Sequence, residues 1–110
     1  MSKTIYKLCL VRGFTEAYYQ LTDAQKKDLW EELGKVLEPI GAEMHGPYYD
    51  CQWANDKYLT WFIMKYPNLE TAIADTHGGQ KMQLFRYMNS ETILGIEAQD
   101  VDLLLGLNGK

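Results

Sequence analysis

The chain has 110 residues, of which 46% are hydrophobic and 24% charged, an ordinary globular composition sized for one domain. It excludes a low-complexity filament or a disordered tail. Against 15 acidic residues stand 11 basic ones, a net charge of −4, without the basic surplus that marks nucleic-acid binders. The 8 Tyr, 3 Trp and 3 Phe supply more large, half-polar surface than a small core needs.

Met1, Ser2, Lys3 and Thr4 lead into a short alternating stretch. The expectation is a chain without a secretory leader. No run approaches the ~20 apolar residues of a membrane span. Cys9 and Cys51 are far apart, and in a chain without an export signal they read as free thiols of a reducing compartment. A cytoplasmic protein is expected.

In chain order, Thr4 to Arg12 is the first predicted strand, with Ile5, Cys9 and Val11 on one face, interrupted by Lys7, and Tyr6, Leu8 and Leu10 on the other. Apolar groups on both faces call for cover on both sides. Thr22 and Gln25 form a capping box for a helix whose stripe is Leu29, Leu33, Val36 and Ile40, widened by Trp30 and Leu37 and stopped by Pro39 and Gly41. Ala42 to Trp53 and Lys57 to Tyr66 read as two strands joined by a tight turn at Ala54-Asn55-Asp56. Gly46-Pro47 inside the first of them implies a bulge or an edge position, since proline cannot donate to a ladder. Pro67 and Asn68 open a second helix carrying Leu69, Ala72, Ile73 and Thr76. His77-Gly78-Gly79 is expected to break it, each glycine costing about 1 kcal/mol relative to alanine. A short helix over Gln80–Met88, a last strand over Glu91–Ala98 and an apolar tail from Asp100 complete the pattern.

Strand, helix, strand, strand, helix, strand is the order of a ferredoxin-like α+β fold: a four-stranded antiparallel sheet with helices on one face. Residues 1–99 form the expected domain, and 100–110 a tail packed on the domain or on a partner. From about Thr4 to Ala98 the chain resembles the dimeric α+β barrel superfamily, in which two such sheets pack face to face. The segment Tyr18-Tyr19-Gln20-Leu21-Thr22 before the first helix, and Tyr49-Asp50 late in the second strand, are similar to small darcynin-like and antibiotic-biosynthesis-monooxygenase-like families. The resemblance implies a homodimer with a hydrophobic pocket between sheet and helices. Members include cofactor-free monooxygenases, cyclases, isomerases, haem-degrading enzymes and stress proteins, so fold does not choose the chemistry.

His77 and His45 are the chain's only histidines, its unperturbed near-neutral acid–base groups. At a helix break His77 would serve as general base or acid; the bland alternative is a polar residue ending a helix. His45, beside Gly46-Pro47, is the second catalytic candidate. Asp50, among Tyr48, Tyr49, Cys51 and Trp53, could orient a histidine or accept a ligand hydroxyl, or simply pair with Arg86 or Arg12. Tyr6, Trp30, Tyr49, Trp53, Trp61, Phe85 and Arg86 are the candidate substrate contacts, the aromatic ones equally suited to a dimer interface.

His45, Asp50 and His77 could compose a two-histidine, one-carboxylate site, but no paired spacing supports a metal, and none is expected. No phosphate loop, G-x-S-x-G elbow or CxxC motif occurs. The haem-degrading pattern needs an Asn on the first strand and a Trp ten residues before the ligand His; here those places hold Tyr6 or Lys7, and Pro67. The expected function is a homodimeric small-molecule enzyme acting without cofactor on an apolar, aromatic or polyketide-like substrate. The alternative is a non-catalytic dimeric ligand-binding or stress-response protein.

Overall fold

The computed structural model describes residues 3–107; the first two residues of the expected domain and the last three of the expected tail lie outside that range. Strand β1 (Ile5–Phe14) alternates cleanly, with Ile5, Lys7, Cys9 and Val11 buried and Tyr6, Leu8 and Leu10 half-buried on the opposite face. Lys7 therefore does not interrupt the buried face but belongs to it. The strand runs past its predicted end because a bulge between Val11 and Gly13 lets pairing resume at Gly13 and continue to Phe14.

A short helix α1 (Glu16–Tyr19), unforeseen in the sequence, precedes α2 (Asp23–Leu37). Thr22 accepts from the Gln25 amide at 3.1 Å while the Gln25 side chain accepts from the Thr22 amide at 2.9 Å, the expected capping box. The helix stops at Leu37 rather than Ile40. Pro39 cannot extend it, and Gly41, at φ 72°, turns the chain.

The predicted strand over 42–53 is corrected to two fragments, β2 (Glu43–Met44) and β3 (Tyr49–Asp50). Between them Gly46 takes φ 102° and Pro47 has no amide to contribute, so the ladder is cut. Both fragments pair with β4 (Thr60–Tyr66), at the edge position that Pro47 implies. The tight turn at 54–56 is also corrected. A 3₁₀ turn spans Gln52–Ala54, and the Asn55 side chain organises the loop that follows. Its amide donates to the carbonyls of Cys51 (2.7 Å) and Tyr58 (3.2 Å), and its oxygen accepts from the amides of Lys57 (2.7 Å) and Tyr58 (2.6 Å). Those bonds draw Lys57 and Tyr58 out of the strand.

Helix α3 (Leu69–Lys81) is capped by Asn68, whose side chain accepts from the Thr71 amide at 2.9 Å. It runs unbroken through His77-Gly78-Gly79, which corrects the expected break. A Cβ on Gly78 would stand 2.4 Å from Val36 Cγ1 of α2, so the glycine there is what the close approach of two helices requires. The turn comes later, at Gln83, the one non-glycine residue with positive φ among the described residues (58°). The predicted helix over 80–88 reduces to a 3₁₀ turn, Leu84–Arg86, and strand β5 (Met88–Gly95) starts earlier than expected. A last helical turn, α4 (Val101–Leu104), lies in the tail.

The sheet is wholly antiparallel in the order β2-β4-β1-β5, with β3 also on β4. It has five strands where four were expected, because the second is split. The fold is α+β with an open sheet. Ile5, Cys9, Met64, Tyr66 and Ala72 form the core, joined by Leu37, Ala42 and Phe62, so α2 and α3 both cover the face that carries Ile5. Among the described residues no helix is long and apolar enough to cross a membrane.

Candidate binding cavity

The two helices do not fill the space over the sheet. A cavity of about 890 Å³ remains between them and the inner face, within the size range of small-molecule sites. Strand alternation decides what looks into it: Cys9 and Val11 from β1, Phe62 and Met64 from β4, Ser90 and Thr92 from β5.

One end is aromatic. Phe14 and Tyr18 stack at 4.4 Å between ring centres, and Trp30 meets Phe14 edge-on at 6.0 Å. Trp30 Nε1 donates to the Tyr18 hydroxyl at 3.1 Å, which leaves the indole nitrogen satisfied and its apolar edges free for the cavity. All three rings line it.

Elsewhere the lining is polar. Lys7 Nζ donates to Asp75 Oδ2 at 2.9 Å, with both side chains largely buried. Tyr66, 0% exposed, donates its hydroxyl to the same oxygen, and its ring lies 5.1 Å from the Lys7 ammonium. Burial, then the bond to Asp75, drives the Tyr66 phenol well above its ordinary range. Burial also pushes the Cys9 thiol up to about 11, against the smaller opposing pull of Lys7. Cys9 is thus a thiol at neutral pH, and Cys51 is likewise free and buried.

The structure separates the candidate residues. Trp30, Phe85, Tyr49 and Asp50 border the cavity, but the Tyr49 ring itself stacks on Trp61 at 4.2 Å. Trp61 alternates with the inward Phe62 and so faces outward. The Asp50 carboxylate accepts from the Gln52 amide at 3.2 Å at the exposed rim. Tyr6 lies on the outer face, edge-on to His45 at 5.2 Å. Trp53 is 84% exposed, and the Arg86 guanidinium covers the Tyr87 ring at 5.8 Å.

His77 is exposed on α3 beside Ala74 and Lys81, in a surface depression separate from the cavity. His45, Asp50 and His77 do not converge; among the described residues no three His, Cys, Asp or Glu side chains gather as metal ligands. Neither histidine lines the large cavity. At the outer rim of the sheet, hydrogen bonds from Tyr58 and Arg12 hold the Glu91 carboxyl below its usual range; Arg12 thus pairs with Glu91, not Asp50.

Sequence reasoning missed Lys7, Asp75, Phe14 and Tyr18 as cavity residues. Two of these carried a signal. Lys7 occupies inward parity in an apolar strand, and Asp75 follows Ala72 by three residues on the buried side of α3.

No known protein family matches the chain, and no curated protein matches it. Among solved structures it is similar to a Rhodopseudomonas palustris protein of unknown function, determined as a structural genomics target. The two share 17% identity with a TM-score of 0.58, covering 91% of this chain and 86% of that one. At that identity the likeness is one of fold, an antiparallel sheet with helices.

Proposed function

We propose that the chain is a cytoplasmic, homodimeric protein of the ferredoxin-like, dimeric α+β barrel type that binds an apolar, aromatic or polyketide-like small molecule and turns it over without a cofactor. The carrying observation is the cavity of about 890 Å³ with an aromatic end and a short list of polar groups, the make-up expected of a small-molecule site. The strand order β2-β4-β1-β5, with β2 and β3 counted as one broken strand, supports the ferredoxin-like topology.

The dimer rests on the uncovered sheet face. Leu8, Leu10, Trp61 and Ile63 point away from the helices, and Ile93 is exposed beside Leu8. Such a contiguous apolar surface marks an interaction site, and a second sheet of the same kind is its natural cover.

A second reading has its own observation. Both histidines lie outside the cavity, which favours a non-catalytic dimeric ligand-binding or stress-response protein over proton transfer by His77 or His45. Native mass spectrometry of the protein purified from a cell extract tests the common ground: a dimer carrying a small apolar molecule is expected. A stable monomer with no retained ligand would sink the proposal. With the ligand in hand, turnover separates the readings. If His77→Ala, His45→Ala and Asp50→Asn leave a measured turnover unchanged, those side chains have no catalytic part; if the ligand is recovered unaltered, the binding reading stands.

A further inference from the structure

We propose that the Lys7–Asp75 pair is the anchor for the ligand's polar end, and that it selects a neutral molecule bearing a carbonyl or phenolic oxygen over an anion of the same shape. The inference rests on the cavity being a ligand site. Its own basis is a juxtaposition: an ion pair joined at 2.9 Å, backed by a wholly buried tyrosine, on the lining of a cavity that also holds the aromatic cluster of Phe14, Tyr18 and Trp30.

A buried ion pair is a poor device for stability, since well-packed apolar residues of similar volume do as well or better. Around this one the core is otherwise built of Ile5, Cys9, Met64, Ala72 and Leu37, so an apolar pair would suit the packing. The ammonium has three donors, and among the described residues one is engaged, by Asp75 Oδ2. That same oxygen also takes the Tyr66 hydroxyl, which leaves Asp75 Oδ1 without a partner among the described residues. Lys7 and Asp75 both line the cavity. The pair thus offers one donor group and one acceptor group to whatever fills the space.

The charge count sets the ligand class. Lys7 and Asp75 cancel, so an incoming carboxylate finds no net positive charge to offset its lost hydration. Asp50, the other lining carboxylate without a cationic partner among the described residues, adds repulsion, whereas Glu43 pairs with Lys65 at 3.9 Å. A hydrocarbon would strip water from the ammonium and return no acceptor, which leaves buried donors unmet. A carbonyl or phenol oxygen accepts from Lys7 at no charge cost, and a phenol can also donate to Asp75 Oδ1. The aromatic end formed by Phe14, Tyr18 and Trp30 takes the ring system.

Three naphthalene probes of similar size, acetonaphthone, ethylnaphthalene and naphthoate, test this by equilibrium dialysis against the full chain. Acetonaphthone is expected to bind roughly tenfold more tightly than ethylnaphthalene, the worth of one hydrogen bond from a charged donor, and more tightly than naphthoate. Lys7→Met combined with Asp75→Leu, which removes both charges together, is expected to put ethylnaphthalene first. Asp75→Asn, which leaves Lys7 uncompensated, is expected to move naphthoate up the order. Should the double variant fail to fold, the ranking on the unaltered chain decides by itself. Equal binding of the three probes, naphthoate binding best, or a ranking that survives the double variant overturns the anchor. Binding of none of them overturns the anchor and the cavity reading together, whereas unselective binding spares the cavity.

Discussion

Cys9 and Tyr66 share the buried space around the Lys7–Asp75 pair, and each keeps its proton for a different reason: Cys9 by burial and Tyr66 by burial with a carboxylate acceptor. For Cys9 this makes a pH prediction. Its thiol goes from an ordinary 9.0 to about 11 in the fold, so on alkaline titration the unfolded chain releases that proton first. Stability is full below about pH 9 and is lost as pH climbs towards about 11, the unfolded state then binding fewer protons than the native one. Tyr66, raised in the same direction, extends the loss to higher pH. Cys9→Ala is expected to flatten the fall in urea midpoint across that window; a slope identical to the unaltered chain's would show that Cys9 does not titrate there. The alternation of β1 was readable in the sequence, including the inward parity of Lys7. Its partner was not, because Asp75 lies 68 positions away and no local pattern joins a strand to a helix packed over it.

Among the elements, the caps were the most legible. Thr22 with Gln25 is a purely local pattern and forms as read. Gly78-Gly79 misled because glycine has two meanings, weak helix former and absence of a Cβ. The second applies here, since Val36 occupies the place a Gly78 side chain would take. Gly78→Ala should therefore destabilise the protein, by about 1–3 kcal/mol of overpacking between α2 and α3, despite its gain in helix propensity. Gly34→Ala, on the same pair of helices but with open space around it, should stabilise by about 0.5–1 kcal/mol. Thermal denaturation of the two variants side by side checks the contrast, and a Gly78→Ala protein melting above the parent would mean that the helices stand further apart. The split of the second strand was half legible. Pro47 announced an interruption, but the number of residues lost from the ladder depends on Gly46 and on the Asn55 loop together.

At the scale of the molecule, the radius of gyration is 16.5 Å with extents of 60 × 35 × 20 Å, against about 13 Å for a compact chain of this length. The excess fits the tail beyond Gly95, where Leu103, Leu104 and Leu105 are largely exposed, Leu104 by 72%. Exposed leucines on an extended arm cost solubility unless another surface takes them. If that surface is a second copy, replacing Leu103, Leu104 and Leu105 by Asp should shift sedimentation from dimer to monomer while far-ultraviolet circular dichroism stays unchanged. A dimer that persists would place the whole contact on the sheet face. The sequence announced the tail's apolarity but not its reach, which depends on how far the last strand continues. The broken strand at the opposite border has a consequence of its own. With β2 and β3 only two residues each, that border offers too short a ladder for a further strand to join. β5, eight residues long and paired among the described residues with β1 alone, leaves its other side open to them, so the sheet can be extended in that direction and any strand recruited by this protein would dock there.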